Sequence, residues 1–96
     1  MKLGEKKSVV FDAKESVTFQ FHLPKDGIYK FSLSSQSDKI AELNMGGMMN
    51  ALIKKGQPMV MGITRDAKNP KPTKQFVNMQ DKKTSPITVE LSEMVP

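Results

Sequence analysis

The sequence contains no cysteine, and that absence removes disulfides, thiolate nucleophiles and thiolate metal sites together. Tryptophan is missing too, and histidine occurs once, at His22. A single imidazole cannot build a zinc site of the usual nitrogen and sulfur type. It also leaves little from which to assemble a nucleophile, a base and an orienting acid. No G-x-S-x-G elbow occurs, and no Lys-Ser/Thr follows Gly46-Gly47 to make a phosphate cradle. The carboxylates are scattered, with no compelling pair for acid–base work and no acidic loop suited to calcium. The expectation is a non-enzymatic chain with no catalytic residue, no metal site and no cofactor.

No apolar run approaches the roughly 20 residues of a membrane-spanning helix, so membrane insertion is not expected. The opening MKLGEKKSVV also lacks the apolar stretch of a secretory signal. Arginine is as scarce as histidine: Arg65 is the only one among 15 basic residues, in a chain of net charge +5. Readers of nucleic acid favour the arginine fork for bases and phosphates. A lysine coat with one arginine is a solubilising surface, and nucleic acid is not an expected partner.

What the chain does have is alternation. Short runs in which every second residue is apolar recur between turn residues, the pattern of a sandwich or barrel. In KKSVVFDA, Val9 and Phe11 share a side; in ESVTFQFHL, Val17, Phe19 and Phe21 alternate with Thr18, Gln20 and His22. Tyr29, Phe31 and Leu33 repeat the pattern after PKDG. Proline presets a turn φ there and Gly27 can close a short loop, so the stretch predicts a β-hairpin. Further strands are predicted over KIAELNM (Ala41, Leu43 and Met45 inward), PMVMGITR (Met59, Met61 and Ile63), QFVNM and PITVELSEM (Ile87, Val89 and Leu91).

Between residues 46 and 56, two readings are open: a tight Gly46-Gly47 turn followed by a short strand, or a single helical turn from Met48 to Ile53. The bracketing glycines favour the strand, because the stretch is too short for a stable helix. Methionine is frequent, at eight residues, with Met45, Met48, Met49, Met59, Met61 and Met79 in the second half. Core filling accounts for them better than an adaptable binding surface. The predicted fold class is all-β: a single domain over 1–96, an antiparallel β-sandwich of 7–8 short strands, jelly-roll or immunoglobulin-like.

Three pieces stand in order: ESVTFQFHLPKDGIYKFSLSS (15–35), DKIAELNM (38–45) and LIKKGQPMVMGITR (52–65). A return strand of the form dG-x-Y-x-F-x-L, an a-x-L strand and a G-Q element leading into a further strand resemble the bacterial pre-peptidase C-terminal domain. Its relatives are small jelly-roll modules appended to secreted proteases and cell-surface proteins. The likeness covers about half the chain. It departs from the family pattern at Pro58, Met59 and Val60, where an aromatic usually follows the G-Q element, and at MGGMM, where the family tends to have an acidic turn. The resemblance implies a non-catalytic accessory module, extracellular or at the cell surface. Such a module would space or stabilise neighbouring domains of a larger parent protein, or bind extracellular polysaccharide or matrix protein.

The longest predicted loop, RDAKNPKPTK (65–74), carries Arg65, Lys68, Lys71 and Lys74 and leads to Phe76, whose side is left open. These five residues form the candidate binding site, for an anionic glycan or a matrix protein. The other aromatics fall mostly on inward positions, so a ring platform for sugars is not expected. A monomer is expected. The unpaired edges of an open sandwich can nevertheless accept another strand, which leaves a third reading, an intracellular β-protein assembling through its edges.

Overall fold

The alternating runs become eight strands: β1 (Lys6–Val9), β2 (Ser16–Gln20), β3 (Gly27–Ser35), β4 (Ala41–Met45), β5 (Met49–Ile53), β6 (Met59–Arg65), β7 (Thr73–Asn78) and β8 (Ile87–Glu93). They belong to a computed structural model that describes residues 1–47 and 49–94, and no helix occurs among the described residues. The stretch after Gly46-Gly47 is therefore a strand; Met48 itself lies outside the described residues. Gly46 and Gly47 take φ of 61° and 76°, the left-handed geometry that a tight hairpin between β4 and β5 demands and that glycine adopts without steric cost.

Parity decides what is buried. Phe11, Phe21, Phe31, Leu33, Leu43, Ile63, Val89 and Leu91 are fully shielded, and Phe19, Tyr29, Ala41 and Ile87 nearly so. Val9, Val17, Met45, Met59 and Met61 pack partly buried against them. The methionines divide: those three fill the margin of the core, whereas Met49 is 54% and Met79 37% exposed. Core filling thus explains only part of the methionine cluster. At the centre, Phe31 lies 5.3 Å from Phe19, 4.9 Å from Phe21 and 6.3 Å from Phe76, ring centroid to ring centroid. Tilted and edge-on pairings of this kind add about 0.5–1.5 kcal/mol each beyond the area they bury.

The strands make two four-stranded sheets, in the orders β1-β8-β3-β6 and β2-β7-β4-β5. Every pairing is antiparallel, and first meets last throughout: β1 with β8, β2 with β7, β3 with β6, β4 with β5. A chain with that pairing is one long hairpin, closed at Gly46-Gly47 and rolled up so that alternate arms fall in different layers. This is the jelly-roll order rather than the immunoglobulin one. It follows that, among the described residues, β4–β5 is the only connection that stays within a sheet; each of the others crosses between layers.

The β-hairpin predicted around PKDG is therefore corrected. β2 pairs with β7, and β3 pairs with β6 and β8, so β2 and β3 face each other across the core instead of sharing hydrogen bonds. The Phe21 amide, just past the end of β2, donates to Pro72 O at 3.0 Å and so continues toward the β7 side. The crossing is pinned by Tyr29, whose hydroxyl donates to Lys25 O at 2.8 Å, four residues upstream. Sandwich folds use a buried tyrosine in this way to fix a corner. Gly27 at φ 149° supplies a backbone conformation that a side chain would strain.

Antiparallel pairing in this order sends the connections β2–β3, β4–β5 and β6–β7 to one end of the sandwich, and β1–β2, β3–β4, β5–β6 and β7–β8 to the other. The lysines concentrate at these two ends. Each end contains a cleft.

Candidate functional site

The first cleft lies at the β2–β3 and β6–β7 end and encloses about 640 Å³, within the range of small-ligand sites. Three segments wall it. The crossing from β2 contributes Phe21, His22, Leu23 and Pro24, the β6–β7 loop contributes Arg65, Pro70 and Lys71, and the N-terminal segment contributes Lys2 and Leu3. Leu3, Leu23 and the two prolines give an apolar floor, while Phe21, also among the lining residues, is fully buried. Lys2, Arg65 and Lys71, with the imidazole of His22, stand around it, and no carboxylate, hydroxyl or thiol is among the lining residues.

Each wall is held by local chemistry. Asp66 opens the β6–β7 loop as an Asx turn, its carboxylate accepting from the Lys68 and Asn69 amides at 3.0 and 2.8 Å. Pro70 and Pro72 restrict the chain that follows. The N-terminal segment lies beside the end of β2 through a parallel bridge between Lys2 and His22, and the His22 amide donates to Met1 O at 2.8 Å.

Glu5 closes that wall from the other side. The Lys2 amide donates to Glu5 Oε1 at 2.9 Å, while the Glu5 amide returns a bond to Lys2 O at 3.0 Å. That amide donation, with the Lys7 ammonium nearby, holds the Glu5 carboxyl below its ordinary value. A lowered carboxyl contributes its stabilisation above the ordinary range and loses it as pH falls through the folded value. Acidification is therefore expected to release the Lys2–Leu3 wall locally. In an NMR titration, the Lys2 amide shift should follow a midpoint below 4.5, the reference value for Glu5. The same transition should vanish in Glu5→Gln; a Lys2 amide that titrates identically in the variant would contradict this role.

The five residues expected from sequence are divided by the fold. Arg65 and Lys71 line the cleft, whereas Lys68 and Lys74 lie outside its lining residues. Lys74 is not in a loop at all: it belongs to β7, opposite Phe19, half-buried at an inward position ahead of Phe76 and Asn78. Phe76 needs correction as a binding residue. It is fully buried among Phe19 and Phe31, so its ring has no face to offer a ligand. Parity carried it inward once β7 began at Thr73.

Arg65 occupies an inward position at the end of β6, following Met59, Met61 and Ile63. Its Nε lies 3.6 Å from Asp26 Oδ1, and its side chain is only 28% exposed. That separation makes an ion pair rather than a hydrogen bond, and among the described residues the guanidinium makes no side-chain hydrogen bond. Lys2, Leu3, His22, Leu23 and Pro24 were not expected here. No local signal could have joined residue 2 to residue 22, because their meeting depends on how the N-terminal segment lies beside β2.

Chemically, the cleft can hold an anion above an apolar floor. It offers no oxygen or sulfur nucleophile among its lining residues. Compared with known proteins, the chain matches no family model, and no curated protein and no solved structure matches it.

Proposed function

We propose that this chain is a non-catalytic jelly-roll module of a secreted or cell-surface bacterial protein, of the pre-peptidase C-terminal kind, and that it holds an anionic polysaccharide in the first cleft. One observation carries the reading: the cleft gathers Lys2, His22, Arg65 and Lys71 from three separate segments, and no carboxylate is among its lining residues, Asp26 and Glu5 standing outside them. Leu3, Leu23 and the proline rings suit the apolar faces of a sugar chain, and a partly buried guanidinium suits the paired oxygens of a carboxylate or sulfate. The order of the ESVTFQFHLPKDGIYKFSLSS, DKIAELNM and LIKKGQPMVMGITR pieces supports the family likeness.

Affinity electrophoresis through gels carrying polygalacturonate, heparin or neutral dextran tests the reading. The anionic polymers should retard the protein and dextran should not, and added salt should weaken the retardation by screening. Arg65→Gln with Lys71→Gln should weaken binding about tenfold, the loss of two modest charge contacts. Lys54→Gln with Lys55→Gln, at the opposite end, should change it little. Equal losses from both pairs would mean diffuse attraction to a basic surface and would overturn the site. Stronger retention by a matrix protein such as denatured collagen than by any polysaccharide would replace the ligand class.

A further inference from the structure

We infer that the other end of the sandwich carries a second and independent ligand site, for an aliphatic carboxylate of the fatty-acid type. A cleft of about 410 Å³ opens there between the β1–β2, β3–β4 and β7–β8 connections. Five of its twelve lining residues are apolar, and of these Val10, Ile40 and Pro86 are exposed. Val10 and Ile40 are left 42% and 47% exposed, so an apolar chain laid between them would remove β-branched surface from water. No aromatic ring lines the cleft, which leaves nothing to stack on a base.

The charge is as particular as the walls. Lys39, Lys82 and Lys83 line the cleft, and no carboxylate does. The acids nearest in sequence are matched elsewhere: Asp38 lies 3.8 Å from Lys55, and Asp81 lies 3.8 Å from Lys14. Among the described residues, Lys39, Lys82 and Lys83 make no ion pair of this kind. Three unmatched ammonium groups beside an aliphatic floor are complementary to one carboxylate on one alkyl chain.

The walls are already fixed before any ligand arrives, which reduces the ordering cost of binding. Thr84 and Phe11 exchange two hydrogen bonds, Thr84 N to Phe11 O at 2.9 Å and Phe11 N to Thr84 Oγ1 at 3.0 Å. Ser85 Oγ donates to Ser37 Oγ at 3.1 Å and ties the β7–β8 loop to the β3–β4 loop.

Octanoate, decanoate and dodecanoate, each kept below its micelle concentration, test the site by calorimetry and amide chemical shifts on the intact chain. One buried methylene corresponds to about a fourfold gain in affinity. Each two-carbon extension should therefore tighten binding about fifteenfold until the alkyl chain outgrows the cleft. Decanol should bind about tenfold more weakly than decanoate. Lys82→Gln with Lys83→Gln should weaken decanoate about tenfold with the unfolding midpoint unchanged, and Lys2→Gln with Lys71→Gln should leave it alone. Affinity that ignores chain length, decanol binding as well as decanoate, or shifts at Arg65 and Lys71 as large as those at Ile40 and Ile87 would each overturn the inference.

Discussion

Phe31→Ala is expected to lower unfolding stability by about 3–5 kcal/mol, the usual cost of removing a buried phenylalanine ring. A domain of this size has only about 5–15 kcal/mol to lose, so the variant should sit at the edge of folding. Its thermal midpoint should drop by more than about 10 °C. The effect is large because Phe31 is fully buried and meets Phe19, Phe21 and Phe76 at once. A cavity there opens to both sheets and cannot be closed by one neighbour shifting. Ile28, three residues earlier on β3 and 58% exposed on the opposite face, is the internal control. Ile28→Ala should change stability by no more than about 0.5 kcal/mol. Urea unfolding of the two variants compares them directly, and similar losses would mean that the faces of β3 have been assigned wrongly.

Asn78→Asp should cost nearly as much, for a different reason. Asn78 is fully buried, and every polar group of its side chain is engaged. Nδ2 donates to Asp12 O at 3.0 Å and to Lys82 O at 2.8 Å, while Oδ1 accepts from the Gln80 amide at 3.0 Å. One side chain thus clamps the β1–β2 and β7–β8 loops onto the end of β7. A carboxylate in that place keeps the shape, loses both donors and turns negative charge toward two carbonyl oxygens. The expected loss is about 3 kcal/mol near neutral pH. Burial raises the folded pKa of the new carboxyl, so the penalty should grow as pH rises above its unfolded value and shrink on acidification. Urea midpoints of the variant, each referred to the parent chain at the same pH, should converge as pH falls from about 7 to about 4. A constant gap would mean that the lost amide donors, not charge, set the cost. Because Lys82 and Lys83 line the second cleft, the variant should also bind decanoate less well.

These two residues differ in how visible they are beforehand. Phe31 announces itself: Tyr29, Phe31 and Leu33 alternate with Lys30, Ser32 and Ser34, and a strand has only two faces on which to put them. Asn78 gives no such signal. It ends QFVN as a polar residue in a turn-prone place, and only the convergence of residues 12 and 82 on it makes it structural. The first cleft divides along the same line. Arg65 and Lys71 are visible as charges near a proline-bearing loop, but Lys74 and Phe76 share that neighbourhood and are carried inward by the parity of β7. Lys2 and Leu3 reach the cleft from the far end of the sequence.

Period-two alternation settles by itself that the chain is built of short half-buried strands and which side chains of most of them point inward, because the choice between two faces is made within a few residues and depends on nothing farther away. Which strands share a sheet is another matter. The PKDG stretch serves equally well as the turn of a hairpin or as an arch between layers, since both leave the same apolar face inward. Tertiary structure chose the arch. Pairing β2 with β7 and β3 with β8 satisfies backbone groups far apart in sequence while bringing Phe19 and Phe21 against Phe31. The two cationic clefts follow from that choice, for they exist only where the rolled hairpin gathers its loops at either end.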